Sequence, residues 1–273
     1  MFGKKMSRIT QKDLAATVLT GVGVSVLAAL LTIPIQVAAF VGILFAGIVL
    51  MFLVLYGKVN ESMDAARWHY REVEELFSLF RRVEFRAPLP TLRGWALSPD
   101  VANILVETVL REKPRRVLDL GSGASTLLIG YALEKNGVGT VHAIDHESNY
   151  AERSRKLIHT HGLDTIASVT VAPLSDVEIP AGKWRWYDTT FLHDLGKVDL
   201  VFVDGPPDRS HFLARYPALP LLIEHLSPNA IIVVDDAYSP GEKEMIQRWL
   251  SEFPDFVAEH VSTEKGTCVL RRI

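Results

Sequence analysis

The residues able to do chemistry sit where apolar runs end. Asp119-Leu120-Gly121-Ser122-Gly123 follows the apolar pair Val117-Leu118. Two glycines there let the backbone bend sharply and approach a ligand closely, just ahead of a helix N-terminus. A dinucleotide loop needs a third glycine three residues after the second, and position 126 is Thr. A carboxylate beside the loop repels a pyrophosphate but suits the cationic amino group of a methionine-like ligand. Asp145 closes the next apolar run, a place where an acid accepts hydrogen bonds from ribose hydroxyls. The blander alternative for the loop is a structural glycine turn.

A second group of acids closes two later runs, at Asp204 and at Asp235-Asp236. Neighbouring strands lie about 4.8 Å apart, so these three carboxylates can converge on one rim. They repel one another unless something positive lies between them, and a hard divalent cation held by carboxylate oxygens meets that need. Helix capping or bonds to loop amides are the alternative roles for Asp204 and Asp235.

The elements that must position these groups follow from the pattern. Pro88 and Pro90 break a preceding helix and open a new unit. Ser98-Pro99-Asp100 then has the form of a helix start: cap, proline and first-turn acid. Strands are predicted over 116–120, 140–145, 167–171, 198–204 and 230–235. Helices are predicted over 124–135, 148–161, 217–226 and 241–250. Short apolar strands alternating with helices imply a parallel, doubly wound sheet. Two last extended runs, 256–261 and 267–272, imply an antiparallel hairpin at the sheet edge. Ligands of such sheets bind beyond the C-terminal strand ends, near the switch in strand order.

From about residue 88 to 273 the sequence resembles the class I S-adenosylmethionine-dependent methyltransferases, which have a Rossmann-like seven-stranded sheet. The resemblance makes Asp119, Gly121, Ser122 and Gly123 their cofactor loop and Asp145 their ribose-binding acid. More loosely, it sets 172–174, ending at Leu174, beside the adenine, and Asp204 at the cofactor's edge. Ser125 stands where many members carry a further glycine. The acids after the fourth and fifth predicted strands resemble those of metal-dependent O-methyltransferases such as the catechol and macrocin enzymes. The resemblance implies magnesium held by Asp204, Asp235 and Asp236. The catechol enzymes use a lysine three residues after the first of these acids, but here that residue is Pro207, so the base does not carry over. Asp208 and His211, in the same loop, are the candidates; a lone loop histidine is also a common surface residue. Asp204-Gly205-Pro206-Pro207, Arg215-Tyr216-Pro217-Ala218-Leu219-Pro220, Gly94-Trp95-Ala96-Leu97-Ser98-Pro99 and Trp186-Tyr187-Asp188 resemble a less characterised bacterial branch of the class. The aromatic run 183–188 either lids the site or packs its own loop down.

Composition narrows the partners. With 29 Lys+Arg against 32 Asp+Glu the net charge is −3, without the basic excess of a nucleic-acid binder. The lone cysteine, Cys268, excludes an internal disulfide, fits a reducing compartment, and has the setting of a small core residue in a strand.

Residues 14–56 contain no Asp, Glu, Lys, Arg or His, enough for two spans of roughly 20 residues. Pro34 and Gln36 mark a turn between spans over 14–33 and 37–56. Lys4, Lys5, Arg8 and Lys12 precede the first span and Lys58 follows the second, so both ends belong in the cytoplasm. One continuous tilted span would put the following domain outside. Beyond it, Val59, Met63, Ala66, Tyr70, Val73, Phe77 and Phe80 recur at alternating spacings of four and three. Such a seam makes either a self-associating stalk or a helix packed on its own domain.

The expected organisation is therefore a membrane anchor over 1–57, an amphipathic stalk helix over 58–86 and a methyltransferase domain over 87–273. The expected activity is methyl transfer from S-adenosylmethionine to a hydroxyl of a small-molecule, sugar or lipid-linked acceptor, assisted by Mg2+. An NAD-dependent oxidoreductase and a non-catalytic anchored scaffold are the competing readings.

Overall fold

A computed structural model of the protein describes residues 19–27, 34–94, 96–207 and 212–273. It divides into two compact units, one ending at Tyr70 and the other beginning at Arg71.

In the first unit residues 19–27 are helical. Pro34 offers its carbonyl to the amides of Val37 (2.8 Å) and Ala38 (3.2 Å). It thereby starts α1, Ile35–Arg82, at a place where proline's missing N–H costs nothing. By length and composition α1 can cross a membrane: its most apolar window has mean hydropathy 2.9 and is 6% buried. A methyl group added to Gly21 would lie 2.3 Å from the Phe45 ring, and one on Gly42 would lie 3.1 Å from Ser25 Oγ. Small residues thus bring 19–27 close against α1. The rest of the expected first span lies outside the described residues.

The apolar stretch and the expected stalk are one helix. Along it Val59, Met63, Tyr70, Val73, Phe77 and Phe80 are all exposed. The side chains at the end of this helix that enter a core are Leu79 and, just beyond, Val83, both buried. Within the second unit, the Phe80 ring meets that of Phe85 edge-on at 5.4 Å.

The second unit is built around a seven-stranded sheet. Its strands are β1 (Arg116–Leu120), β2 (Thr140–Asp145), β3 (Ala167–Val171), β6 (Val198–Val203), β7 (Leu226–Val234), β8 (Phe256–Val261) and β9 (Thr267–Arg272), in the order β3-β2-β1-β6-β7-β9-β8. The first five are parallel, and β9 runs antiparallel to both β7 and β8. Alternate residues bury on opposite faces, as the strand period of two requires. Leu118, Leu120, Val201, Val203 and Ile232 join one core, while Val117, Val141, Leu200, Phe202 and Ile231 join the other. Helices α2 (Pro99–Glu112), α3 (Ala124–Asn136) and α4 (Ser148–Thr160) pack on the second face. Two elements, α5 (Ala218–Leu222) and α6 (Pro240–Glu252), pack on the first. Ser98 is the cap residue of α2, with Pro99 first in the helix, but its hydroxyl bonds Asp100 and not a helix amide.

Two expectations need correcting. The predicted helix over 217–226 shortens to α5 followed by a 3-10 turn, Ile223–His225, and Leu226 already belongs to β7. The aromatic insertion is not a loop but an antiparallel hairpin, β4 (Leu174–Ile179) and β5 (Gly182–Tyr187). Trp186 and Tyr187 are fully buried in the first-face core, so of the two roles considered for this segment, packing is the one observed.

Candidate active site

Strand register puts the acids level. Leu120 pairs with both Ile144 and Val203, and Val203 pairs with Val234. The next residues, Gly121, Asp145, Asp204 and Asp235, therefore share one rim. Ladder bonds run up to it: Gly121 N donates to Ile144 O (2.9 Å), Asp204 N to Leu120 O and Asp235 N to Val203 O (both 3.1 Å). Strand order reverses between β1 and β6, which is the position where open α/β sheets bind ligands.

Asp119 faces the α3 side and is completely buried. Its Oδ2 accepts from Ser125 Oγ (2.8 Å) and Thr126 Oγ1 (2.7 Å), and Thr126 Oγ1 in turn accepts from Gly123 N (3.2 Å). Thr126, where a dinucleotide loop would have glycine, thus ties the loop to the acid. Asp119 Oδ1 has no hydrogen-bond partner among the described residues. Burial, against those two hydroxyl donors, pushes the carboxyl up to about 7. A buried, half-satisfied carboxyl of this kind favours a cation brought to it.

Gly121 and Gly123 both take positive φ, 118° and 147°, a conformation glycine adopts without strain. A side chain at Gly123 would point into open space. Ser122 donates from Oγ (2.6 Å) and N (3.3 Å) to Asp145 Oδ2, while Glu147 N donates to Oδ1 (3.0 Å). Asp145 is buried and closes the loop over the end of β2. Leu174 starts β4, opposite Tyr187. The donor set fits S-adenosylmethionine: a buried acid for the amino group, a glycine turn open to a ligand, and an acid at the next strand tip for the ribose.

On the other side of the switch, Asp204, Asp235 and Asp236 gather around Arg215. The Arg215 Nη2 lies 3.3 Å from Asp204 Oδ1 and 2.9 Å from Asp236 Oδ2, and Nη1 donates to the Asp235 carbonyl at 3.2 Å. Glu242 Oε1, in the first turn of α6, lies 3.6 Å from Nε. Burial opposes the Arg215 charge, but Asp204, Asp236 and Glu242 outweigh it and raise its pKa. Asp236 has a left-handed backbone (φ 58°), a conformation aspartate tolerates. Lys265, at the β8–β9 turn, reaches Asp236 Oδ1 at 3.3 Å. Burial, with Asp236 next in effect, lifts Asp235 to about 6.

Among the described residues no group of three or more His, Cys, Asp or Glu is arranged to hold a metal. A divalent ion needs carboxylate oxygens at about 2.1 Å, and here a guanidinium fills the space between them. As placed, these residues do not fit a magnesium ion. Asp208 and His211, the candidate bases, lie outside the described residues.

Arg215 and Tyr187 are site residues that the sequence motifs contain but do not single out. Tyr187 comes from the hairpin, and its hydroxyl lies against Gly205, just beyond Asp204. In the sequence Arg215 stands only as part of a motif. Its isolation in an apolar run, Phe212 to Leu222, was the available signal.

Residues 118–237 match the family described as a methyltransferase domain. No curated protein is detectably similar in sequence. Among solved structures, the SAH-bound methyltransferase PaMTH1 of Podospora anserina shares 18% identity, with 66% of this chain covering 80% of that one at a TM-score of 0.51. A methyltransferase of Geobacter sulfurreducens shares 17%, with coverages of 74% and 88% and a TM-score of 0.50. The O-methyltransferase TomG of Streptomyces achromogenes, solved with SAM, shares 16%, with coverages of 66% and 83% and a TM-score of 0.50. At these identities the likeness establishes the fold.

Proposed function

We propose that the chain is a class I S-adenosylmethionine-dependent methyltransferase, a reading supported by the match of residues 118–237 to a methyltransferase-domain family, and that it moves a methyl group from S-adenosylmethionine to a hydroxyl oxygen of an acceptor held at the membrane. The observation that carries the cofactor side is Asp119 Oδ1, buried beside the glycine turn and without a hydrogen-bond partner among the described residues. In this reading Asp119 and the Gly121–Gly123 bend hold the methionyl end, Asp145 holds the ribose, and Leu174 borders the adenine. Bound S-adenosylmethionine supplies a methyl group already activated by its sulfonium, so the protein's task is to align an acceptor oxygen with it and accept a proton. Asp204 stands at the switch point between the cofactor loop and the acid rim and orients the acceptor. Asp208 and His211 are the bases we assign to the adjoining loop.

We place the domain on the cytoplasmic face of a multi-pass anchor. The apolar stretch without charge, the basic residues flanking it and the close approach of Gly21 to Phe45 support a two-span hairpin. Such an anchor favours a lipid-linked acceptor. The exposed heptad stripe from Val59 to Phe80 supports self-association of the helix, in parallel because both copies leave the same bilayer.

The test is S-adenosylhomocysteine release by full-length protein in lipid–detergent micelles, with a membrane lipid extract as acceptor. The reading expects extract-dependent release that Asp119→Ala abolishes. Release unaffected by that substitution, or none with any hydroxyl-bearing fraction, contradicts it.

A further inference from the structure

We propose that Arg215 is a built-in cation that positions the acid rim, taking the place a divalent metal would otherwise hold, so that methyl transfer by this protein proceeds without added metal. The inference rests on the methyl-transfer reading above but adds a residue and a cofactor requirement to it.

Four carboxylates, Asp204, Asp235, Asp236 and Glu242, come together at the ends of β6 and β7 and the start of α6. Asp235 and Glu242 are buried. Left alone, such a group would repel itself apart or bind a hard cation. Arg215 enters it from the turn before α5, where Tyr216 N bonds Leu213 O (3.0 Å) and Ala218 N bonds Arg215 O (3.1 Å). The Arg215 side chain is 6% exposed. Its planar fork spreads one charge over several directions: one nitrogen spans Asp204 and Asp236, the second takes the Asp235 carbonyl, and Nε faces Glu242. A lysine could not make this set of contacts, because an ammonium is a point charge on a flexible stem. Unlike a metal ion, a guanidinium neither dissociates nor loses its proton at working pH. The Asp204 and Asp236 carboxylates are thereby held in fixed orientation before any ligand arrives. Lys265 adds a second cation from the opposite side, on the other oxygen of Asp236.

The geometry makes Arg215 a positioning residue: it acts on the acceptor side through Asp204 and Asp236. Taking it away should leave a carboxylate nest of the kind divalent ions seek. That gives a readout which loss of structure alone would not produce.

The experiment compares full-length wild type, Arg215→Ala and Arg215→Lys in detergent by thermal unfolding with and without Mg2+ or Ca2+, and by S-adenosylhomocysteine release with and without EDTA. For wild type, an unfolding midpoint unmoved by either ion and release unchanged by EDTA are expected. For Arg215→Ala, release should fall by about tenfold or more, because Asp204 and Asp236 lose the group that orients them and small misplacements at a reacting centre cost rate steeply. Its midpoint should rise with Mg2+ or Ca2+, and added guanidinium should restore part of the release. Arg215→Lys, which keeps the charge but not the fork, should fall between. If Arg215→Ala does not fold, the wild-type midpoint and the behaviour of Arg215→Lys decide. A wild-type midpoint raised by Mg2+ with release abolished by EDTA overturns the proposal, as does Arg215→Ala or Arg215→Lys matching wild type throughout. S-adenosylhomocysteine binding measured on the same wild-type sample separates this outcome from failure of the methyl-transfer reading, since the midpoint shifts do not depend on it.

Discussion

Gly205 passes Tyr187 so closely that a methyl group added to it would lie 2.3 Å from the phenolic oxygen, and 3.1 Å from the carbonyl of Leu120. The β4–β5 hairpin thus touches the sheet at the switch point itself, and only a residue without a side chain leaves room there. Gly205→Ala should destabilise the protein by about 1–3 kcal/mol, the usual cost of overpacking. Adding Tyr187→Phe should return part of that, since it removes the nearer obstacle and leaves the Leu120 carbonyl. Thermal midpoints of the single and double variants check this. A single variant as stable as wild type would mean that the hairpin does not sit where we describe it.

Asp119 gives a pH dependence with a definite sign. Burial raises its folded-state pKa to about 7, against about 3.9 in an unfolded chain. Between these values the folded protein holds a proton that the unfolded chain has released. This group's contribution to stability is therefore full below about pH 4, falls as pH rises through the window, and levels off above about 7. Asp235, at about 6, pushes the same way. A ligand ammonium at Asp119 needs the carboxylate, so S-adenosylhomocysteine should bind more weakly as pH drops from 8 to 6 and should release protons on binding at the lower pH. Calorimetry in two buffers of different ionisation enthalpy reads both effects. Asp119→Asn should bind more weakly and lose the proton release; release persisting in that variant assigns it to another group.

Much of this architecture is legible in the chain. Four of the five parallel strands end where Asp119-Leu120-Gly121, Asp145, Asp204 and Asp235 say they should, because each of these apolar runs stops at a polar rim. The β4–β5 hairpin is also written in the chain, since Asp176, Glu178, Lys183 and Arg185 alternate with Val177, Ile179, Trp184 and Trp186, but its charged half gives the segment the look of a polar loop around three aromatics. Arg215 escapes notice for a different reason. A sequence can place three acids on one rim from strand pairing, but not the side chain of an irregular turn between them. The charge conflict was visible and the group that answers it was not. The heptad stripe shows a third limit: its spacing is compatible with both a self-associating stalk and a helix packed on its own domain.

The anchor can be tested by labelling. The native Cys268 is fully buried, so an introduced cysteine reports with little background. With a two-span hairpin, Gln36→Cys should react with a membrane-impermeant maleimide added to intact cells, while Lys58→Cys should react only after lysis. Lys58→Cys labelled in intact cells, with Gln36→Cys protected, would place the domain on the outer side. Deleting residues 1–57 should move the protein from the membrane fraction to the soluble one.

The central claim is that Asp119 and the glycine turn hold a sulfonium donor, and titration of the purified full-length protein with S-adenosylhomocysteine, beside NAD, tests it most directly. We predict saturable binding at one site per chain, a loss of roughly tenfold to a hundredfold in affinity in Asp119→Ala, as for a hydrogen bond to a charged group, and no response to NAD. Binding that Asp119→Ala leaves unchanged, or NAD bound in preference to S-adenosylhomocysteine, would contradict the account.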